Sequence, residues 1–299
     1  MFSKILVPLD GTPEAAVALT PALTVAKATG ASIHLLTVSD ADASVADHAR
    51  ITAELEGVAA ELRAGGGTQV DTAVRWGAPT AEIVAVAIEL GADLVAMATH
   101  GRGALERALV GSVTQDVLVK SPVPVMLLRP GGYEMTKLEV VLVPVDGSAG
   151  GALALASAVP LARSTNARIV LVNVAVPFVS YMMMNASADG SFYFDPAWDD
   201  EARESAKRYV SGMADRLRHA GVQAEGMAIT GEPLQPWASV AEAIMRSADE
   251  VGADLIVMSS HALTGPARAL LGSVADEVVR NAHRPVLLPR RGGREHIPD

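Results

Sequence analysis

The chain says most of what it says twice. KILVPLDGT at 4–12 returns as VVLVPVDGS at 140–148, and ASIHLLTV at 31–38 as ARIVLVNV at 167–174, each 136 residues later. GADLVAMATHG at 91–101 returns as GADLIVMSSHA at 252–262, and LVGSVTQDVLVKSPVPVMLL at 109–128 as LLGSVADEVVRNAHRPVLLP at 270–289, each 161 residues later. The second copy therefore carries 25 more residues in its middle. Copies of about 150 residues have the size of domains. The expected boundaries are 1–132 and 137–292, joined through GGYEMTK at 131–137.

Each copy alternates short apolar runs with longer amphipathic segments, the pattern of a parallel sheet wrapped in helices. In the first copy the strands fall at 4–9, 32–38, 69–74, 93–98 and 124–128. Their Val, Ile and Leu run almost unbroken, as strands covered on both faces do. Thr12-Pro13 opens a helix that Gly30 closes, with Pro21 forcing a kink or an earlier break. Further helices span 44–64, stopped by Gly65-Gly66-Gly67, and 79–90, stopped by Gly91. The last starts at Ser112, which forms a Ser-x-x-Gln capping box with Gln115; Ser273 and Asp276 offer the like in the second copy. The fold class is α/β: two repeated Rossmann-like or flavodoxin-like domains, each a five-stranded parallel sheet flanked by helices.

Composition narrows the function. Half of the residues are hydrophobic and 19% are charged, which excludes disorder for the bulk of the chain. Aromatics are 4% and the net charge is −10, so neither a base-stacking surface nor a polyanion partner fits. A small anion remains open, because backbone N–H groups bind phosphate without net positive charge. The absence of cysteine excludes a disulfide scaffold, a thiolate zinc site and a Cys nucleophile, and suits a cytoplasmic protein. The chain enters the strand-like run Ile5-Leu6-Val7-Pro8 almost at once, without a signal peptide. Residues 169–188 are uncharged and long enough to cross a bilayer, but Asn173, Pro177, Ser180, Asn185 and Ser187 interrupt them and the first half repeats a strand. No membrane partner is expected.

Two loops lie at carboxyl ends of parallel strands, where open α/β sheets bind ligands. One is Pro8-Leu9-Asp10-Gly11-Thr12, with its twin Pro144-Val145-Asp146-Gly147-Ser148. Asp-Gly-Thr serves either as a turn and helix cap or as an acceptor for a ribose or base. The other runs from Thr99-His100-Gly101-Arg102-Gly103 to Gly111-Ser112-Val113, a glycine-rich loop leading to a helix N-terminus suited to an anion. No Gly-Lys-Ser/Thr follows, so it is not a Walker loop. His100 and His261 hold equivalent positions, but no second His or paired carboxylate stands at ligand spacing, so a loop or phosphate-side role fits better than a metal or catalytic one. No Gly-x-Ser-x-Gly elbow supports a serine triad.

Taken together these residues resemble the universal stress proteins in their tandem form, over nearly the whole chain and twice. ATP-binding members of that family carry Gly-x-x-Gly, nine residues, then Gly-Ser/Thr. Here Ala98 stands for the first glycine, and Gly101, nine residues and Gly111-Ser112 complete the pattern. The resemblance implies an ATP site at Pro8, Leu9, Asp10, Val38, Met97, Ala98, Gly101, Arg102, Gly111, Ser112 and Val113. Asp10 would meet the adenosine end and Val38 the adenine, with Gly101, Gly111 and Ser112 at the phosphates. Arg102 and Arg107 are either phosphate-side or solvated charges. The second copy offers Pro144, Val145, Asp146, Val174, Met258, Ser259, Ala262, Gly272, Ser273 and Val274. There Ser259 and Ala262 replace both early glycines; a Cβ at 262 opposes φ > 0, unless Gly265 reshapes the loop. The first copy is therefore expected to bind at least as tightly.

By the same resemblance the fifth strands, near 124–128 and 285–288, are edges through which the copies pair as an intrachain pseudo-dimer, and a homodimer is expected. Mg2+ would come with the nucleotide, held by phosphates and water. The expected function is an ATP-binding stress-response regulator with slow hydrolysis or none, since no constellation for fast phosphoryl transfer is present. The alternatives are a nucleotide-independent dimeric scaffold and an enzyme such as a nucleotidyl transferase. Finally, Phe178, Tyr181, Phe192, Tyr193, Phe194 and Trp198 put six of eleven aromatics beside Met182-Met183-Met184, within the extra segment 176–200. Such a cluster either packs beneath a long loop or meets a partner.

Overall fold

The computed structural model describes residues 2–42, 44–99, 110–175, 197–230, 236–259 and 271–290. The elements run β1 Lys4–Leu9, α1 Pro13–Ala16, α2 Leu19–Thr29, β2 Ser32–Ser39, α3 Val45–Ala64, β3 Val70–Trp76, α4 Pro79–Leu90, β4 Leu94–Ala98, α5 Ser112–Lys120 and β5 Val125–Leu128. The second copy follows with β6 Val140–Pro144, α6 Ala149–Thr165, β7 Arg168–Ala175, α7 Ala197–His219, β8 Ala224–Thr230, α8 Pro236–Glu250, β9 Leu255–Val257, α9 Ser273–Asn281 and β10 Val286–Leu288. Two compact units emerge: Met1–Leu138 with Val279–Asp299, and Glu139–Val278.

The first unit is built on the order β3-β2-β1-β4-β5, all parallel, with β10 added antiparallel to β5. The second has the same Rossmann-like order in β8-β7-β6-β9, again parallel. The central strands carry the core: Ile5, Leu6, Val7, Leu94, Val95 and Ala96 are fully buried, and so are Val141, Leu142, Val143, Leu255, Ile256 and Val257. Strands shielded on both faces have no position that must be polar, which is why these runs read as continuous rather than alternating.

Local chemistry sets the helix ends. The first expected helix is two. Pro21 has no N–H to offer the carbonyl of Val17, so the chain breaks at Val17–Ala18 and restarts as α2, whose first backbone bond there runs from Ala22 N–H to Ala18 O. Ser44 and Asp47 cap α3 reciprocally. Gly30 and Gly91 close α2 and α4 in the left-handed conformation, at φ 74° and 58°.

The expectation for α5 needs correcting. Ser112 is its first helical residue and not its cap; Gly111, at φ −59° and ψ 148°, is the cap, and its carbonyl accepts from Gln115 N–H. Ser273 likewise begins α9, with Gly272 O accepting from Asp276 N–H. A Gly-Ser pair offers two candidates for the cap, and the backbone bond to Gln115 decides for the glycine.

The segment joining the copies is held within the first unit. Met135 is fully buried, its carbonyl accepting from Thr24 Oγ1 at 2.9 Å. Tyr133 N–H donates to His283 O at 2.7 Å, and the Arg284 guanidinium lies 4.2 Å over the Tyr133 ring. Gly132 is there for space: a Cβ would come within 2.7 Å of His283 O and 2.9 Å of Arg129 O. Among the described residues no helix is long and apolar enough to cross a membrane. Of the uncharged run 169–188, the first part is strand β7 and the remainder lies outside the described residues.

The β5 edge is covered by only three residues of β10, with Val286, Leu287 and Leu288 opposite Leu127, Met126 and Val125. A chain cut to residues 1–138 loses that cover and exposes an apolar strand edge. It should sediment as a dimer at micromolar concentration; a stable monomer would show that the edge needs no partner.

Candidate functional site

In both units the chain reverses direction across the sheet between two neighbouring strands, β1 and β4 in one and β6 and β9 in the other. That reversal opens a crevice at their carboxyl ends. Its first wall in the first copy is the turn after β1. Gly11 takes φ 80°, and Asp10 Oδ1 accepts from Thr12 N–H at 3.0 Å and Thr12 Oγ1 at 2.5 Å. Thr12 Oγ1 then caps α1 by accepting from Ala15 N–H at 3.2 Å. Asp10 therefore does perform the turn-and-cap work expected of Asp-Gly-Thr, and α1 packs against β4 beside it.

The second wall is the start of α5. Thr114 Oγ1 donates to Ala98 O at 3.0 Å in a buried bond, and Gly111 N–H donates to Thr99 O at 2.8 Å. Two bonds thus pin the first turn of α5 onto the carboxyl end of β4. The first intrahelical bond is that of Gln115, so the N–H groups of Ser112, Val113 and Thr114 have no partner inside the helix. Ser112 is exposed, Val113 half-buried and Thr114 buried, so the turn opens outward at Ser112. Aligned peptide dipoles add positive potential there.

The structure gathers the remaining expected residues as follows. Pro8 and Leu9 are the last residues of β1, opposite Leu36 and Thr37; Met97 and Ala98 end β4, both buried. Val38 stands near the end of β2, opposite Arg75. Gly101, Arg102, Arg107 and His100 lie outside the described residues, as do Ala262, His261, Gly265 and nearly all of the aromatic insertion. Among the described residues no group of three His, Cys, Asp or Glu is placed to hold a metal.

The second copy reproduces the frame with different filling. Gly147 takes φ 81°, Ser148 N–H donates to Asp146 Oδ1 at 2.9 Å, and Ser148 Oγ caps α6 through Gly150 N–H at 3.1 Å. Pro144 ends β6, and Val145 N–H donates to Val172 O at 2.8 Å while Asn173 Nδ2 donates to Val145 O at 2.7 Å, fixing the loop from the neighbouring strand. Val174 lies opposite Ile229, and Met258 is buried just past β9. Gly272, Ser273 and Val274 form the start of α9. Ser259, at the position of Ala98, reaches the first turn of α6: a Cβ on Gly150 would sit 2.9 Å from its Oγ. Gly150 itself stands where the first copy has Glu14.

Two features escaped the sequence reading. Tyr209, on α7, brings its phenol oxygen to the Asp146–Gly147 turn and accepts from Gly147 N–H. Burial and the adjacent Asp146 carboxylate push this phenol above its ordinary pKa, against the opposing pull of that hydrogen bond and of Arg216. In the first copy, Trp76 ends β3 38% exposed, with its ring 4.4 Å from that of His48 on α3. Neither carried a signal in the sequence: an aromatic on an amphipathic helix or at a strand end reads as packing.

The comparisons agree with this geometry. A sequence model of the universal stress protein family matches residues 1–129 and again 137–290. The universal stress protein YxiE of Bacillus subtilis is 32% identical over 154 residues, 50% of this chain and 97% of its own length. The universal stress protein MT2061 of Mycobacterium tuberculosis is 27% identical over 210 residues, 69% of this chain and 64% of its own. The crystal structure of a universal stress protein from Archaeoglobus fulgidus superposes with a TM-score of 0.69 at 23% identity, over 97% of this chain and 98% of that one.

The Tyr209 contact has a spectroscopic consequence. In an alkaline titration followed by tyrosinate absorbance, one phenol should ionise later than the usual value near 10, and Tyr209→Phe should remove that late phase. A late phase that survives the substitution would place Tyr209 away from Asp146.

Proposed function

The chain belongs to the universal stress protein family in tandem form, and from that footing we propose that it is an ATP-binding regulatory protein. On this reading each repeat, 1–132 and 137–292, is one nucleotide-binding domain, and the protein works as a cytoplasmic homodimer in a stress response. The observation that carries the reading is the start of α5, with three N–H groups unpartnered within the helix and pinned at the carboxyl end of β4. A polyphosphate accepts from such groups while the helix dipole stabilises its charge, without any basic side chain. On this reading Asp10, held by Thr12, serves as the acceptor for the ribose, and Val38, near the end of β2, meets the base through its backbone.

Binding rather than turnover follows from what surrounds the phosphates in the sequence. Fast phosphoryl transfer needs a positioned water and a charge clamp of the Walker type, and no Gly-Lys-Ser/Thr occurs in the chain. Mg2+ enters as the companion of the nucleotide, held by phosphates and water. The second reading, a nucleotide-independent scaffold, draws support in the second copy alone. There Tyr209 already engages the Gly147 N–H, and Ser259 fills space beside the first turn of α6.

Ser112→Pro tests the carrying observation. Gly111 already has the extended backbone that a following proline requires, and proline is at home in the first helical position. The substitution deletes one N–H and leaves the fold intact. Losing one charge-assisted bond should weaken ATP binding about 10- to 100-fold by calorimetry, with an unchanged thermal midpoint. Ser112→Ala, which removes only the hydroxyl, should cost less; equal affinity for Ser112→Pro and the parent chain would end the assignment.

The two copies should also differ. Asp10→Ala should remove more of the ATP binding than Asp146→Ala, each titrated in the full chain. A larger loss from Asp146→Ala would make the second copy the principal site.

A further inference from the structure

Away from the loop site, on the face of the first unit that α4 covers, a cavity of about 300 Å³ opens between α4 and the outer strand β3. Its floor is apolar: Leu6, Ala73, Val86 and Leu90. Its rim is polar and internally sorted. Arg75 and Glu89 pair across one side and cancel. Asp71 accepts from Gln69 Nε2 at 3.1 Å and stands 3.7 Å from Nδ1 of His34, whose Nε2 lies 3.2 Å from Ser32 Oγ. Burial is the largest influence on the imidazole and lowers its pKa; Lys4 acts the same way and Asp71 opposes them. Arg75, the guanidinium of this rim, is taken by Glu89, so the Asp71 carboxylate has opposite it only an imidazole whose charged form burial disfavours. Lys4, at the start of β1, donates to the carbonyl of Leu90 at 2.8 Å.

The duplication shows that the fold does not need this arrangement. Strand pairing makes Val170 the counterpart of His34, Arg168 that of Ser32, Glu225 that of Asp71 and Met227 that of Ala73. In the second copy the acid is neutralised by Arg168 at 2.6 Å, and a long Met side chain stands where Ala73 leaves room. The same sheet edge is thus built once as an ordinary ion-paired surface and once as a hollow with an apolar floor and a carboxylate that faces an imidazole in place of a guanidinium. Cavities of this size and lining are the usual form of small-molecule sites.

We infer that the groove between α4 and β3 is a second ligand site, separate from the nucleotide loops, for a small organic ammonium with an apolar body. The hydrocarbon part fills the floor over Ala73, and the ammonium pairs with Asp71. The inference stands whether or not ATP binds at α5.

The probe is phenethylammonium, titrated into the full chain by calorimetry and saturation-transfer NMR, with phenethyl alcohol and 3-phenylpropionate as its neutral and anionic counterparts. The ammonium should bind more tightly than either counterpart, with the same affinity when ATP is present in saturating amount. Asp71→Asn should weaken it about tenfold, the loss of one charge-assisted pairing. Ala73→Met should abolish it by filling the floor. Should Ala73→Met lower the thermal midpoint sharply, Asp71→Asn, at a half-exposed carboxylate, decides instead. Equal binding of the alcohol or the acid, unchanged affinity in Asp71→Asn, or displacement of the amine by ATP would each overturn the site.

Discussion

Two rungs of parallel pairing, Ile5 with Leu94 and Leu6 with Val95, decide where everything else in the first unit goes. Because β1 pairs β2 on one flank and β4 on the other, the connections leaving β1 and β4 diverge to opposite faces and cannot close over each other. The gap between them is lined by backbone that has finished its ladder and still carries polar groups. One side of it ends in the Asp10 turn, the other in the first turn of α5. The buried bond from Thr114 to Ala98 keeps that turn from swinging away, and an unpaired hydroxyl or carbonyl at such depth would cost about 1–3 kcal/mol. The second unit repeats the arrangement through Val141 with Leu255 and Leu142 with Ile256.

Much of this was legible in the chain. Strand positions were, because fully covered strands leave runs such as IleLeuVal that no amphipathic helix produces. The break before Pro21 was legible from the missing N–H, and the closures at Gly30 and Gly91 from the positive φ they adopt. The cap of α5 was not. Serine is a good N-cap in general, yet here the capping position needs only a carbonyl in the right place, and Gly111 supplies it. Tyr209 was hidden for another reason: its helix α7 answers to α3 of the first copy, but the extra segment before it breaks the sequence register that would relate the two. The groove beside β3 was hidden because it is made by a small residue. Ala73 declares nothing in a sequence until its neighbours on two strands and a helix surround the space it leaves.

The two copies together separate what the scaffold requires from what a site uses. Both keep the left-handed glycine after the strand-one aspartate, both start the last helix of the crevice from a glycine carbonyl, and both anchor the turn after the first strand to side chains. These are demands of the chain reversal. What differs lies at the crevice and toward the outer edge of the sheet: Ala98 against Ser259, Glu14 against Gly150, His34 against Val170, Ala73 against Met227. Each pair changes the volume or charge at one spot without touching the ladder. A duplicated sheet can diverge this way at little cost to stability, because the central strands carry the buried area and the crevice and outer edge carry the chemistry.

On the proposed reading, a net charge of −10 favours the backbone as the receptor for an anion. A chain this acidic repels a polyanion at long range, and a few lysines added at the crevice would be partly neutralised by neighbouring carboxylates. Peptide N–H groups do not suffer that competition: they carry no net charge, cannot be paired off by a surface Glu, and act only at hydrogen-bond distance. On that reading Gly111 and Gly272 at the caps suit the same end, since a serine or aspartate there would turn its own oxygen onto the N–H groups of the first turn and occupy them. A glycine cap forgoes that small local stabilisation and leaves those N–H groups without a side-chain acceptor from the cap. On the proposed reading, a first turn capped by glycine alone gives a chain of this charge an anion receptor without changing its balance of side chains.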